Sequence, residues 1–587
     1  MKTLFSLLLT CALALSATAQ LETHIPQDVA FVLTWNPKHL DKKVPLNKVQ
    51  EMQMWEMGVS QLAAEMAPDN EELVYQFLNS PSAFGVDGMG SIYLVGQLDA
   101  EQSLQTALLF SITDRAKFSQ MLRDLGQMEE AETRNGFQYW STGYGSAFAL
   151  GKNVGIIGNV APSDDFYVEE TFDFELDPDA EEDEDEVAVV TEPDVQGWLD
   201  KLMRTTSNNL INNEQYRRTK EKTYDMAFYM DYAYINQLQG LEQNGLAGIS
   251  ELAPLAELLN GMYDGTFLGG GLNFLPGKIQ MDVKYYSTPR MERFFEASTE
   301  HKFKKKLVRY VKGDELMGFY HFNFDMEDTV DGMKDIYKGV ARDVPEYGDA
   351  VATAMEIVGL FIDEEQIYEL FPGQMMVAFT GLETVERMKT VTEYDDEFNP
   401  IETEKMVSEP MPQFTAVVQT ADERNLRKFM RLGRELGVLE DKGTYFRATG
   451  EELPMDMYMA IVKDAVIITT DADLVQNRLS VGYKGDLAVS KAQMDMLKST
   501  SSLFYLDVDQ LVKVGMENAS GDMGMAMMGI GMVSDQFKSV QISSPRDQEN
   551  GFLTSFIIEM TDEKTNALEQ LLELLNMGAS MMMGGRT

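Results

Sequence analysis

Leu108-Leu109-Phe110-Ser111-Ile112-Thr113 runs directly into Asp114-Arg115-Ala116-Lys117-Phe118. The first six residues have the length and apolar density of a buried strand, and Asp114 stands where a helix N-cap belongs. The helix predicted from Asp114 to Gly126 places Phe118, Leu122 and Leu125 on one face. An Asn135-Gly136 turn then leads to a strand at Phe137-Gln138-Tyr139-Trp140, and Val154 to Ile157 forms a later one. The same order returns further along. Phe414 to Thr420 is a strand, Ala421 to Gly437 a helix with Thr420-Ala421-Asp422 at its cap, Thr444-Tyr445-Phe446 follows Gly443, and Ala465 to Ile468 is the later strand. Gly126 to Gly136 and Gly433 to Gly443 are both ten residues apart.

Working outward, four segments share a Phe in an alternating apolar run that closes on Asp or Asn. They are Ala30-Phe31-Val32-Leu33-Thr34-Trp35-Asn36, Ala227-Phe228-Tyr229-Met230-Asp231, Gly318-Phe319-Tyr320-His321-Phe322-Asn323 and Leu503-Phe504-Tyr505-Leu506-Asp507. Both halves close on a strand pair followed by a helix. Phe267 to Tyr286 turns at Pro276-Gly277 and precedes a helix from about Pro289. Gln536 to Met560 turns at Asn550-Gly551 and precedes a helix from Thr561 to Leu575. Recurrence of one order predicts a duplication. Hairpin turns between strands, interspersed with helices, give an α+β class. The expected architecture is two tandem copies of a mixed, largely antiparallel sheet with packed helices. Copy A spans 24–305, copy B spans 306–576, and 577–587 is a flexible Met/Gly tail.

The N-terminus reads as a secretory signal peptide over 1–19. Lys2 is followed by an apolar stretch from Leu4 to Leu15 and an Ala17-Thr18-Ala19 cleavage site. Cys11, the single cysteine, lies inside it, so the mature chain has no disulfide, thiol nucleophile or cysteine-ligated metal. No transmembrane span is expected after cleavage. The 587 residues carry 49 Lys and Arg against 95 Asp and Glu, a formal charge of −46. Nucleic acid, which needs a positive footprint, is not an expected partner.

Residues 164–194 hold sixteen acidic residues and no Lys or Arg, the densest run being Glu181 to Glu186. Self-repulsion predicts a solvated acidic loop. Asp177, Asp179, Glu181, Asp183 and Asp185 offer calcium ligands, but the turn glycine of an EF-hand is missing. A milder acidic loop is expected around Glu393 to Glu404. Two basic clusters, Arg217, Arg218, Lys220 and Lys222, and Lys302, Lys304, Lys305, Lys306, Arg309 and Lys312, read as solvated faces paired with the chain's own acids, with attachment to anionic lipid or another polyanion as the alternative. Of 40 methionines, Met516, Met523, Met525, Met527, Met528 and Met532 interleave with glycine, and Met581-Met582-Met583 sits in the tail. Met52, Met54, Trp55 and Met57 fit an amphipathic helix with Val59, Leu62 and Met66. Thioethers suit Cu(I), but pliable packing is the expected use.

No residue set announces chemistry. His24, His39, His301 and His321 lack metal spacing, and no nucleophile elbow, Walker loop or dinucleotide fingerprint occurs. His321 sits in a predicted strand as a structural histidine. Asp231, Asn323, Asp325, Asp507 and Asp509 follow strands, where helix capping competes with acid–base work and is the expected role. Catalytic, cofactor-binding and metal-binding residues are therefore all assigned as none.

The opening Ile25-Pro26-Gln27-Asp28-Val29-Ala30-Phe31-Val32, directly after the signal, resembles a large group of uncharacterised exported proteins of Bacteroidota whose mature chains start with Ile-Pro-x-Asp-x-x-Phe-Val. The resemblance implies repeated strand–helix units and supplies no activity, cofactor or site residue. Members often carry a lipoprotein cysteine, which this chain lacks after its signal. The expected function is that of an exported, non-enzymatic binding or scaffold protein of the bacterial cell envelope, periplasmic or outer-envelope associated, with a protein or amphiphile as partner. A carboxylate-dependent hydrolase and a divalent-cation or Cu(I) binder are the alternatives.

Overall fold

The computed structural model describes residues 21–584 other than 67, 99–102, 126–131, 142–144, 162–194, 205–207, 233–264, 289–290, 293–294, 296–302, 312–315, 344–352, 354–363, 395–399, 450–454, 480–488, 519–530, 532–533 and 547–550. The expected signal segment, the acidic stretch 164–194, most of the helix expected from Pro289, His301, Lys302, Lys312 and most of the Met/Gly run up to Met532 lie outside the described residues. The chain is α+β and forms two compact units, one of residues 1–239, 267–274 and 568–587, the other of 240–266 and 275–567.

In the first unit nine strands are described: β1 (Phe31–Trp35), β2 (Ile92–Leu98), β3 (Leu104–Ser111), β4 (Glu132–Arg134), β5 (Phe137–Ser141), β6 (Ser146–Leu150), β7 (Val154–Ala161), β8 (Met226–Asp231) and β9 (Phe267–Leu275). All pair antiparallel in the order β4-β5-β6-β7-β3-β2-β1-β8-β9. Alternation along β3 puts Leu108 and Phe110 in a core with Trp35, Ile92 and Trp140. The helices Gln53–Met66, Glu71–Asn79 and Arg115–Asp124 supply Leu62, Phe77, Phe118 and Leu122 to the same core. Each such side chain contributes about 1.5–3 kcal/mol by leaving water. Gly85 (φ +81°) turns the chain so tightly that its carbonyl accepts from the N–H groups of both Thr113 and Asp114, at 2.9 and 3.0 Å.

The second unit has eleven described strands: β10 (Lys278–Tyr286), β11 (Gly318–Asn323), β12 (Gln374–Tyr394), β13 (Pro400–Gln419), β14 (Leu439–Asp441), β15 (Phe446–Ala448), β16 (Tyr458–Val462), β17 (Ala465–Thr469), β18 (Thr500–Asp507), β19 (Phe537–Pro545) and β20 (Phe552–Met560). Their order is β10-β20-β19-β18-β11-β12-β13-β17-β16-β15-β14, again antiparallel throughout. Each strand from β11 to β18 therefore has the neighbours that the strand ten places earlier has in the first unit. Phe319, Met376, Ala378, Val417 and Leu503 form its core with Phe303, Leu307, Val308 and the helix Lys491–Ser499.

The units do not divide at 305/306. β10 joins the second unit by pairing with β20 from Lys278↔Glu559 to Tyr285↔Phe552. The helix Ala567–Gly584, from Leu568 on, belongs to the first unit. There Lys48 bonds Glu569, the Met54 N–H donates to Asn576 Oδ1 at 3.1 Å, and Ser580 Oγ donates to Gln53 Oε1 at 2.8 Å. This helix runs through Gly584, where the sequence reading has a flexible tail from 577. Ala, Met and Ser continue a helix readily, and the one interior glycine, Gly578, weakens it by only about 1 kcal/mol.

The middle of the acidic loop expected around Glu393 to Glu404, residues 395–399, lies outside the described residues; on either side of it β12 and β13 extend past a bulge at Phe379/Gly381 as a two-stranded ribbon paired from Gly381↔Gln413 to Tyr394↔Pro400. In the described strands of the ribbon the acids alternate with Lys, Arg, Thr and Val, and the β-branched residues favour pairing.

Candidate interaction surface

The helix Glu423–Glu435 is set by both its ends. Asp422 Oδ1 accepts from the N–H groups of Arg424 (2.8 Å) and Asn425 (3.1 Å). At the other end Gly437 (φ +76°) takes the left-handed conformation. Its N–H donates to Arg434 O and that of Val438 to Gly433 O, both at 3.0 Å, which is a Schellman closure. Between the ends Met430 is buried, while Phe429 is 58% exposed and Leu432 50%; beyond the last turn Leu436 is 70% and Val438 52% exposed. The rest of the helix carries Arg424, Arg427, Lys428, Arg431 and Arg434 against Glu423 and Glu435. Arg434 lies 3.6 Å from Asp441, and Lys428 donates to Asn425 Oδ1. Arg424, Arg427 and Arg431 have no acidic partner among the described residues.

The first unit contains the same device with the opposite outcome. Between β3 and β4, Asp114 caps the helix Arg115–Asp124 through the N–H groups of Ala116 and Lys117. Counted from the caps, Phe118, Met121 and Leu122 correspond to Leu426, Phe429 and Met430. All three are buried, with Phe118 against Phe77 (5.9 Å between ring centroids) and Phe110 (5.7 Å).

No family model matches the chain, and no curated protein matches it. Two solved structures, crystal forms III and I of TP0453, align over 47% and 46% of this chain and 82% and 79% of their own. Both have 10% identity, with TM-scores of 0.24 and 0.22. Likeness this loose carries no argument about fold or role.

The residues that sequence offered for chemistry are dispersed. Asp507 accepts from the Gln510 N–H and Asp325 from the Asp328 N–H, each at 3.0 Å, as helix caps do. Asp231 lies in the other unit, in β8, and Asn323 is buried at the end of β11. His24 and His39 have Nδ1 at 3.3 and 3.4 Å from the carbonyls of Leu202 and Tyr224. Burial pushes the His24 pKa down. His321 is fully buried edge-on against Phe303, 4.7 Å between centroids, and neither ring nitrogen has a hydrogen-bond partner. Burial, reinforced by the Arg546 charge, lowers its pKa to about 3, so the ring is neutral. No group of three or more His, Cys, Asp or Glu among the described residues is arranged to hold a metal ion.

The basic clusters are partly matched internally. Lys220 bonds Glu22, Arg218 lies over the Phe267 ring, and Lys306 bonds Asp464 at 2.8 Å. Met52 is buried, and Trp55 Nε1 donates to Asn79 Oδ1 at 2.8 Å, so that cluster serves packing. The sequence reading missed a polar centre in the first unit. The Glu22 carboxylate accepts from Tyr93 Oη (2.8 Å) and Tyr216 Oη (3.1 Å) beside Lys220. Burial first, then the Glu22 charge, pushes both phenols well above their ordinary pKa, so they stay protonated donors. It also missed the exposure of Phe429 and Leu436. Their spacing is that of any amphipathic helix, and no sequence signal says whether the apolar face is covered.

Proposed function

We propose that this chain is an exported, non-enzymatic binding or scaffold protein of the bacterial cell envelope, and that it docks a partner through the helix Glu423–Glu435 and the turn that follows. The observation that carries this reading is the exposure of Phe429, Leu432, Leu436 and Val438, four large apolar side chains in one short stretch. The signal-like N-terminus supports export. The repeated strand order supports descent of the two units from one duplicated module. After duplication one copy kept its helix covered, and the other turned the same helix into a contact surface.

Fractionation of cells making the full chain tests the reading. The protein should sediment with the envelope, and Phe429→Glu with Leu436→Glu should release it to the soluble fraction while the melting temperature stays unchanged. An unchanged distribution would sink the reading.

A further inference from the structure

We infer that the partner of this surface is an anionic phospholipid bilayer, an inference that rests on the docking role proposed above. At about 100° per residue, Phe429, Leu432 and Leu436 fall within roughly 60° of arc, and the five basic residues occupy roughly 120° beside them. A bilayer interface accepts this arrangement in both parts, acyl chains taking Phe and Leu and phosphates taking Arg and Lys. The charge pattern is what selects lipid. In a chain of net charge −46, five cations stand against two anions on this helix, Glu423 and Glu435, and Arg424, Arg427 and Arg431 form no ion pair with a described acid. An uncharged apolar partner would gain nothing from them. The helix lies along the interface rather than crossing it, for no helix among the described residues is long and apolar enough to span a membrane. The acidity of the whole chain repels the same surface, so attachment is local, reversible and salt-sensitive.

Sedimentation of the full mature chain with vesicles tests the inference. One vesicle is phosphatidylcholine alone, the other an equal mixture of phosphatidylcholine and phosphatidylglycerol. Binding to the mixed vesicles at low salt, release at high salt and no binding to phosphatidylcholine alone are expected. Arg427→Glu with Arg431→Glu should weaken binding about tenfold or more, and Phe429→Ser with Leu436→Ser should abolish it. Unchanged melting temperatures show that both variants fold. Equal binding to both vesicles, or indifference to both variant pairs, overturns the inference. If no vesicle binds but Phe429→Glu with Leu436→Glu still releases the protein from the envelope fraction, lipid is wrong and docking stands with a protein partner. If that variant leaves fractionation unchanged, docking itself fails. A concentration-dependent dimer lost in Phe429→Ser with Leu436→Ser would assign the face to a second copy of this chain and overturn the lipid inference.

Discussion

Met121 and Phe429 each stand seven residues after a capping aspartate in corresponding helices, yet Met121 is 4% exposed and Phe429 58%. Truncating them should therefore have unequal consequences. Met121→Ala leaves a cavity in the core that it shares with Phe77, Phe110 and Phe118 and should cost about 2–5 kcal/mol. Phe429→Ala should change stability by about 0.5 kcal/mol or less. Urea denaturation of both variants makes the comparison, and equal losses would contradict the exposure assigned to Phe429.

The caps allow a matched test in both units. Asp114→Ala and Asp422→Ala should each cost about 1 kcal/mol, because two helix N–H groups lose an acceptor. Asp→Asn at either position should recover most of that loss, since asparagine caps as well. Calorimetry following each transition would expose a failure as no difference between Ala and Asn.

Acid should act on the second unit through His321. Its folded pKa of about 3 lies below the value near 6.5 of an unfolded histidine. The unfolded chain therefore takes up the proton first as pH falls. The stability this residue contributes is complete above about pH 6.5 and is lost towards pH 3, by about 1.4 kcal/mol per pH unit from this one group. His321→Leu should remove that share of the slope. At neutral pH it should leave stability equal or higher, since neither ring nitrogen has a partner to lose. Denaturation midpoints at several acidic pH values provide the check. A variant as acid-sensitive as the parent would refute it.

Gly85→Ala should be harmful, for Gly85 is buried as well as left-handed. The backbone is left-handed there, and an added Cβ would lie 2.2 Å from the Asp114 carbonyl oxygen. Relief requires moving Asp114, which loosens the helix cap as well as the turn. A loss above about 1 kcal/mol is expected in urea. Gly136→Ala, at φ +82° but in open space, should cost less.

What could be read from the sequence was local. The strands around Phe110, Val417 and Ile467, the aspartate caps and the β9–β10 and β19–β20 boundaries all rest on neighbouring residues, and they stand within a few residues of where periodicity puts them. The pairings of β1 with β8 and of β10 with β20 join residues far apart in the chain, and apolar alternation cannot name the partner. The Glu22, Tyr93, Tyr216 and Lys220 cluster draws on three separate segments. The contact surface escaped for a different reason: periodicity says which side chains share a face, and packing alone says whether that face meets water.

The membership of the helix Ala567–Gly584 in the first unit bears on how the molecule is made. Translation delivers the strands of that unit early, but the helix docked by Lys48, Gln53 and Met54 emerges only after every strand of the second unit. Until then the nascent amino-terminal half is unfinished, and a fragment stopped at residue 305 would lack a piece of its own fold. The first unit therefore reaches its full set of contacts only when the last segment of the chain has been made.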